Sequence, residues 1–439
     1  MKSKGLLTAS LILLVLSAVI WWSNKKAATA DKTPAENTTT KLLRVPEDQF
    51  QEIEIKKRTG ETIHLQRNDS RWQIIAPEPL HTDPDAVSSV LSTLSSLSSE
   101  RTVEEKAASF NQYGLNQPAI ELTIIDKNKK TTRLLIGDNT PAGRAVYAAI
   151  ADDPRVFALS SYKKNSLDKS TNDLRDKRLL TFDSDKVSSI ELTARKQTIA
   201  FGRSKDEWQI VRPKPFRADR TQVEELLRTL REAKMDLSGS EDGKKASAAF
   251  SSGTPIATAR ITDVSGAREL QVRKNKEDYY AKSSVVAGVY KISSGTGPGL
   301  DKSIDDFRNK KLFDFGYADL DRIELHDGSK GYFLTRSSSD WWSNGSRMDP
   351  ETVSAFVDKI RDLTASKFVE TGFTAPVIEL TVTSDGGKRV EKVMLSQNAG
   401  KCVAKRENEP TLYELDASAI TELQKSAADL KPASPPSKK

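Results

Sequence analysis

The chain has 439 residues with a formal net charge of +7, and 29% of its residues are charged. That length is enough for three domains of ordinary size. Because basic and acidic residues are interspersed, the small positive excess does not favour a nucleic-acid partner. Cys402 is the only cysteine, which excludes an intramolecular disulfide and a thiolate metal site, and we expect a small buried side chain there rather than a nucleophile.

The N-terminus predicts a membrane anchor. Lys2 and Lys4 precede residues 5–22, an uncharged run just long enough to span a bilayer, and its final Trp21-Trp22 pair suits a membrane interface. Ala28-Thr29-Ala30 resembles a cleavage site, so a removed signal peptide is an alternative to the uncleaved anchor that we favour. The absence of a nearby cysteine excludes a lipoprotein anchor. An anchor followed by a long body usually exports that body.

A repeated segment dominates the rest of the chain. Residues 167–182 return as residues 300–315 at an offset of 133 residues, and nine of the sixteen positions are identical. A period of this length indicates copied domains rather than the turns of a solenoid. We call this segment the cassette. A clear third copy is missing near the end of the chain, so we interpret the cassette as a connector that is present where another module follows.

Other features recur in the same order and predict three modules. Each module has an apolar-Glu-apolar strand start, then a tryptophan, then an aspartate that begins a helix. The strand starts are Ile53-Glu54-Ile55, Ile190-Glu191-Leu192 and Ile323-Glu324-Leu325; the tryptophans are Trp72, Trp208 and Trp342; the aspartates are Asp83, Asp219 and Asp349. Because the tryptophans recur with the fold, we expect them to be core residues of the third strand of each module.

Hydrophobic periodicity predicts the fold of each module. Apolar and polar residues alternate at its start, as in strands with one buried face. In the first module, Val87, Val90, Leu91 and Leu94 then fall on one helical stripe after the N-cap Asp83, and the period of two returns afterwards. We therefore predict an α+β fold of three tandem homologous modules, each a mainly antiparallel sheet with one packed helix, after a single N-terminal transmembrane helix.

These patterns divide the chain into six parts. The predicted boundaries are 1–26 for the anchor, 27–45 for a flexible tether, 46–180, 181–313 and 314–430 for the three modules, and 431–439 for a disordered tail.

The sequence contains no evident catalytic or metal-binding pattern. His64, His81 and His326 lack metal-ligand spacing. The glycine-rich residues 137–143 precede a strand instead of opening a helix, which favours a hairpin turn over a phosphate loop. We therefore predict no catalytic residue, no metal and no cofactor. A hydrolase would need clustered catalytic side chains, which the sequence does not indicate.

Five residues are candidates for partner contacts. Neighbours on a strand point to opposite faces, so one ring of the Trp341-Trp342 pair should be exposed, and we expect it to be Trp341. The basic residues of the two cassettes have two interpretations: they bond neighbouring carboxylates and dock the modules, which we favour, or they bind an anionic ligand or lipid headgroup. The contact candidates are Trp341, Arg175, Lys177, Arg308 and Lys310.

Several motifs resemble those of the bacterial family called domain of unknown function 4340. They are residues 113–120 (Tyr-Gly-Leu-Asn-Gln-Pro-Ala-Ile), residues 134–138 (Leu-Leu-Ile-Gly-Asp), Tyr147, Val156-Phe157 and residues 173–177 (Asp-Leu-Arg-Asp-Lys). The resemblance covers most of residues 45–315, and the third module is a weaker copy. It implies a membrane-anchored envelope protein that works beside ABC transporter components of the gliding-motility auxiliary type. It provides no catalytic residues.

The combined expectation is a single-pass protein of the bacterial cytoplasmic membrane, anchored through residues 5–22, with its body on the periplasmic side. We expect a non-enzymatic accessory or scaffold protein associated with the permease or ATPase of an ABC-type transport system. The alternative is an extracytoplasmic protein that binds glycan or peptide through exposed aromatic residues.

Overall fold

The computed structural model describes residues 39–205, 207–238, 243–398 and 400–434. The chain divides into two compact units, one ending at Lys177 and one beginning at Arg178. Within the described residues the first unit contains one antiparallel sheet and the second contains two, which confirms the predicted repeated α+β layout. Residues 5–22, the predicted anchor, lie outside the described residues. No helix within the described ranges is long and apolar enough to cross a membrane.

The first module has a sheet in the order β4-β3-β2-β1-β6-β7-β8-β9-β5. Its strands are β1 (Phe50–Lys57), β2 (Thr62–Asn68), β3 (Arg71–Ala76), β4 (Leu80–His81), β5 (Arg101–Glu104), β6 (Ile120–Asp126), β7 (Thr131–Asn139), β8 (Ala145–Ile150) and β9 (Val156–Ser160). Its helices are α1 (Pro84–Ser95), α2 (Ser161–Leu167) and α3 (Thr171–Leu174), with a 3₁₀ turn at Asn111–Tyr113.

The second module has a sheet in the order β13-β12-β11-β10-β14-β15-β16-β17. Its strands are β10 (Ser189–Ala194), β11 (Gln197–Ser204), β12 (Glu207–Arg212), β13 (Phe216–Arg217), β14 (Thr254–Asp263), β15 (Gly266–Asn275), β16 (Asp278–Ser283) and β17 (Val289–Ile292). Its helices are α4 (Arg220–Arg231), α5 (Gly243–Ser252), α6 (Thr296–Leu300) and α7 (Ile304–Phe307). Helix α5 is an addition that the periodicity did not predict.

The third module has a sheet in the order β21-β20-β19-β18-β23-β24-β25-β26-β22. Its strands are β18 (Leu320–Asp327), β19 (Lys330–Ser337), β20 (Asp340–Ser343), β21 (Ser346–Arg347), β22 (Lys367–Val369), β23 (Ile378–Ser384), β24 (Arg389–Asn398), β25 (Lys401–Arg406) and β26 (Leu412–Leu415). Its helices are α8 (Pro350–Arg361) and α9 (Ala419–Ala428).

The predicted helix of each module is present and packs one stripe into the core. Asp83 accepts hydrogen bonds from the backbone N–H groups of Asp85 and Ala86, and Asp219 and Asp349 cap α4 and α8 in the same way. These caps satisfy backbone donors that the first turn of a helix leaves unpaired. The buried stripe of α1 is Val87, Val90, Leu91 and Leu94, as the spacing predicts.

Each cassette begins at the last residue of one short helix, α2 or α6, and contains a four-residue helix, α3 or α7; its first half closes the module before it. Leu167 and Leu174 lie in the first core, and Leu300 and Phe307 lie in the second. The cassette aspartates hold them to the first hairpin of their own module, since Asp168 pairs with Lys57 at 3.2 Å and Asp301 pairs with Arg195 at 2.9 Å. A Ser-Asp capping box starts α3 and α7, Ser170 with Asp173 and Ser303 with Asp306.

The predicted module boundaries are displaced by a few residues. Leu179 and Leu180 belong to the second core, and Leu312 and Phe313 to the third, although the prediction assigned each pair to the preceding module. The backbone N–H groups of Leu42, Leu179 and Leu312 donate equivalent bonds to Leu97, Ala233 and Leu363 beyond the main helix of each module. The end of the predicted tether therefore also belongs to the fold.

The beginning of the predicted tail is ordered as well. The backbone N–H of Asp349 donates to the carbonyl of Lys431 at 2.9 Å, and Ala433 donates to Arg347 at 2.8 Å. Asp83 donates to Leu174 and Asp219 donates to Phe307 in the same way. Helix α9 and residues 430–433 thus take the place of a cassette in the third module.

Candidate functional site

The predicted contact residue Arg308 lies where the second and third modules meet within the second unit. Its guanidinium carbon is 4.2 Å from the ring centroid of Phe216 and 3.6 Å from that of Phe368. It pairs with Asp305 at 3.0 Å and donates to the hydroxyl of Thr411 at 3.2 Å. Only 13% of the side chain is exposed, so its contacts favour docking over an anion site.

Arg217, at the end of β13 in the second module, contacts several residues of the third module. Its Nη1 is 2.6 Å from a carboxylate oxygen of Asp314, and its Nε is 2.8 Å from Oε1 of Glu409. Its Nη2 donates to the hydroxyl of Tyr413 at 3.0 Å and to the carbonyl of Lys311 at 2.6 Å. Burial by itself lowers the pKa of Arg217, but the charge of Asp314 and the contacts with Tyr413 and Glu409 raise it above its ordinary value.

A second set of ion pairs extends this contact into the third sheet. Arg406 bonds Glu391 at 3.2 Å and Glu409 at 2.8 Å, and Arg389 bonds Glu391 at 3.3 Å. The backbone N–H of Asp314 donates to the same Glu391 carboxylate at 2.9 Å. We call the whole set the junction network; its cations are Arg217, Arg389 and Arg406, and its anions are Asp314, Glu391 and Glu409. The signs balance, and side-chain exposures of 5% to 36% mean that these charges are partly withdrawn from water and need partners.

A cleft of about 250 Å³ opens beside the junction network. Trp208, Arg217 and Asn309 line it, together with Asp314 and Arg389. The polar groups at its base bond one another across the two modules. The cleft therefore lies between docked modules. Its charged lining residues Arg217, Asp314 and Arg389 are paired with one another.

The other predicted basic residues have local roles. The carbonyl of Lys310 accepts a hydrogen bond from Ala365 at 2.9 Å, which adds a backbone link at the junction. In the first unit, Arg175 pairs its backbone with Thr82 beside the N-terminus of α1. Burial raises the pKa of Asp173, but hydrogen bonds from Ser170 and the charge of Lys177 bring it below its ordinary value. Of the five predicted contact residues, Arg308 and Lys310 therefore lie at the junction of the second and third modules, Arg175 and Lys177 lie in the first unit, and Trp341 lies in the third module.

The prediction that Trp341 is the exposed ring is wrong. Trp72 pairs with Arg67, Trp208 with Arg203 and Trp341 with Arg336 across equivalent strands, so Trp341 is the third copy of the core tryptophan. Trp341 packs against the third core, whereas Trp342 is 40% exposed. The spacing from the strand start differs by one residue between modules, and a shift of one residue exchanges the faces of a strand.

Sequence reasoning missed every member of the junction network. The available signal was the difference between the cassettes, because Asp314 replaces Thr181 in otherwise similar segments. The remaining members come from distant strands, and only the fold brings them together.

Other potential chemistry concerns the reactivity of the single cysteine and the groups that could bind a metal. Cys402 is fully buried, as predicted, and burial together with the charge of Asp416 raises the pKa of its thiol to about 11. No group of three or more His, Cys, Asp or Glu side chains that could hold a metal occurs among the described residues.

The family motifs of the first module hold a loop against its sheet. A Cβ atom at Gly137 would lie 2.2 Å from the carbonyl oxygen of Tyr113, so only glycine permits this close approach. Tyr113 also packs edge-on against Tyr147 with 4.9 Å between ring centroids. Arg58 joins the loop to the sheet, because its Nε donates to the carbonyl of Gln117 in the loop at 2.8 Å and its guanidinium pairs with Asp138 of β7 at 3.0 Å. These motifs therefore stabilise a second, smaller core.

Comparison with known families identifies the chain. The family model described as domain of unknown function (DUF4340) matches residues 72–208 and 208–381, more than half of the sequence. The chain belongs to this family. Each match begins at a core tryptophan and encloses a cassette; the first ends in the third strand of the second module, whereas the second extends to β23 of the third module. No curated protein and no solved structure matches the chain.

Replacing Arg308 should weaken the docking of the second and third modules. Arg308→Lys keeps the charge but loses the planar stack between Phe216 and Phe368. We expect both Arg308→Lys and Arg308→Ala to lower the free energy of unfolding of the second unit by about 2 kcal/mol. Urea unfolding measures the loss, and hydrogen exchange should rise at residues 216–217 and 367–369. Arg195→Ala, which removes an exposed pair, is the control; equal effects of Arg195→Ala and Arg308→Ala would contradict the assignment.

The stability of the second unit should fall at alkaline pH through Tyr413. Burial, with a further contribution from Glu409, raises the pKa of Tyr413 from 10.0 to about 12, although Arg217 opposes the shift. Between these values the unfolded chain loses the tyrosine proton while the folded chain keeps it, so the free energy of unfolding declines by up to about 3 kcal/mol as the pH rises. Urea unfolding of wild type and Tyr413→Phe from pH 9 to pH 12 should differ in slope. Parallel pH profiles would refute this role for the hydroxyl.

Proposed function

We propose that this DUF4340 protein is a non-enzymatic accessory or scaffold protein of the bacterial envelope, anchored in the cytoplasmic membrane and associated with an ABC-type transport system. The observation that carries the proposal is the use of the cassettes. Their repeated polar and apolar residues close one module and start the next. The side chain of Arg308 contacts Phe216, Phe368 and Asp305 within the protein. Such residues serve assembly.

The junction network supports a scaffold role for the second unit. Balanced, partly buried ion pairs contribute little net stability, but they penalise any arrangement that leaves one charge without its partner. A single arrangement of two modules presents a defined surface to another protein. Proposed association with a transporter permease or ATPase follows from the family resemblance and not from the geometry.

A second candidate function is glycan or peptide binding outside the membrane. The observation that favours it is the exposed ring of Trp342 in the third module. Aromatic side chains are common anchors of binding surfaces.

The transporter proposal predicts a specific capture result. The full-length tagged protein, crosslinked in native membranes and purified by affinity, should enrich an ABC permease or ATPase in mass spectra. A chain truncated after residue 45 serves as the matched control and should lose the enrichment. Capture that contains no transporter component, or equal capture by the truncated control, would refute the association.

The proposed location outside the membrane predicts how introduced cysteines react. Cys402 is fully buried, so wild type should resist a membrane-impermeant maleimide, whereas Val264→Cys places a thiol where 84% of the native side chain is exposed. In bacterial cells with a permeabilised outer membrane, we expect strong labelling of Val264→Cys and background labelling of wild type. Labelling of Val264→Cys only after lysis of the cytoplasmic membrane would place the body in the cytoplasm.

A further inference from the structure

The outward face of the third sheet exposes two aromatic rings. Trp342 lies opposite Thr335 on the neighbouring strand, and Phe333 precedes Thr335 by two residues on the same face. Phe333 is 39% exposed and Trp342 is 40% exposed. Leu334 and Trp341 point to the core instead, as the alternation of a strand requires. We call Phe333, Thr335 and Trp342 the aromatic face.

The other two modules show that the fold does not require these rings. Strand register places Gln73 and Gln209 at the position of Trp342. It places His64 and Ala200 at the position of Phe333. Both sister sheets fold with small or polar residues there, so the aromatic side chains of the third module are an addition to the common framework.

A third difference between the modules orients one ring. Gly331 occupies the position of Thr62 and Thr198, and a Cβ atom there would lie 2.8 Å from Cε2 of Phe333. The ring of Phe333 therefore lies down across Gly331, beside His326 at 5.3 Å between ring centroids. Glycine weakens a strand interior and often marks a site of close approach. Here its absence of a side chain lets an aromatic ring lie along the sheet.

The charges next to the aromatic face are already paired. Arg322 bonds Glu324 at 2.5 Å, and Lys392 bonds Glu379 at 3.0 Å on the adjoining strands. The hydroxyl of Thr335 lies in the same cross-strand row as Arg322. A ligand on this face would contact two aromatic rings and hydrogen-bonding groups. The charged groups among them form ion pairs, so they carry no net charge. That chemistry complements a neutral ligand with an apolar face and polar edges.

We propose that the aromatic face binds an uncharged oligosaccharide. A pyranose ring has C–H groups on one face and hydroxyl groups around its edge, so it can stack on Phe333 and Trp342 while its hydroxyls bond Thr335 and the Arg322–Glu324 pair. The site specifies the ligand class of the second candidate function. It does not depend on association with a transporter.

Calorimetric titration of the purified full-length chain tests this site. The probes are cellohexaose, maltohexaose and chitohexaose, in a detergent without a sugar headgroup. We expect saturable binding of at least one probe, and about tenfold weaker binding by Trp342→Gln and by Phe333→His. Both variants introduce a residue that a sister module already carries at the same position, so we expect them to fold.

Gly331→Thr provides the sharpest variant, because it keeps both rings but forces Phe333 off the sheet. It should also weaken binding about tenfold, whereas Tyr162→Gln, which removes an exposed aromatic residue of the first module, should leave binding unchanged. Circular dichroism and thermal unfolding confirm that each variant is folded. Absence of binding to all three probes at millimolar concentration, or binding that survives Trp342→Gln, would overturn the proposal. None of these outcomes depends on the capture of a transporter.

Discussion

One backbone contact governs the construction of all three modules. The N–H of the aspartate that caps the main helix donates to a carbonyl in the segment that follows the last strand: Asp83 to Leu174, Asp219 to Phe307 and Asp349 to Lys431. A helix N-terminus has donors that need partners, and a cap aspartate satisfies only part of them. Each module is therefore completed only when the chain returns from its final strand to the start of its helix.

This requirement explains the pattern of repetition. In the first two modules the returning segment must also lead into another module, and the cassette does both because its first half enters one core and its second half enters the next. In the third module, α9 and residues 430–433 make this contact with an unrelated sequence. The repeated residues are thus those that close one module and connect it to the next.

The differences between the copies are more informative about function than their similarities. Asp314 replaces Thr181 and joins the junction network, which fixes how the second and third modules dock. Partly buried ion pairs of this kind favour one arrangement over others more than they add stability. Trp342, Phe333 and Gly331 likewise depart together from their sister positions on one surface. A set of coordinated changes on a shared framework is expected where a copied domain has acquired a separate role.

The sequence alone determined the repeated α+β modules, the stripe of each main helix, its aspartate cap and the burial of Cys402. These features depend on local periodicity and on the chemistry of single residues. The tertiary structure decided the rest: the pairing of Arg217 with Asp314 and Glu409, the stacking of Arg308 and the exchange of Trp341 for Trp342 as the exposed ring. The first two join residues far apart in the chain. The third depends on strand register, because a difference of one residue in loop length changes the face of the sheet to which each side chain points.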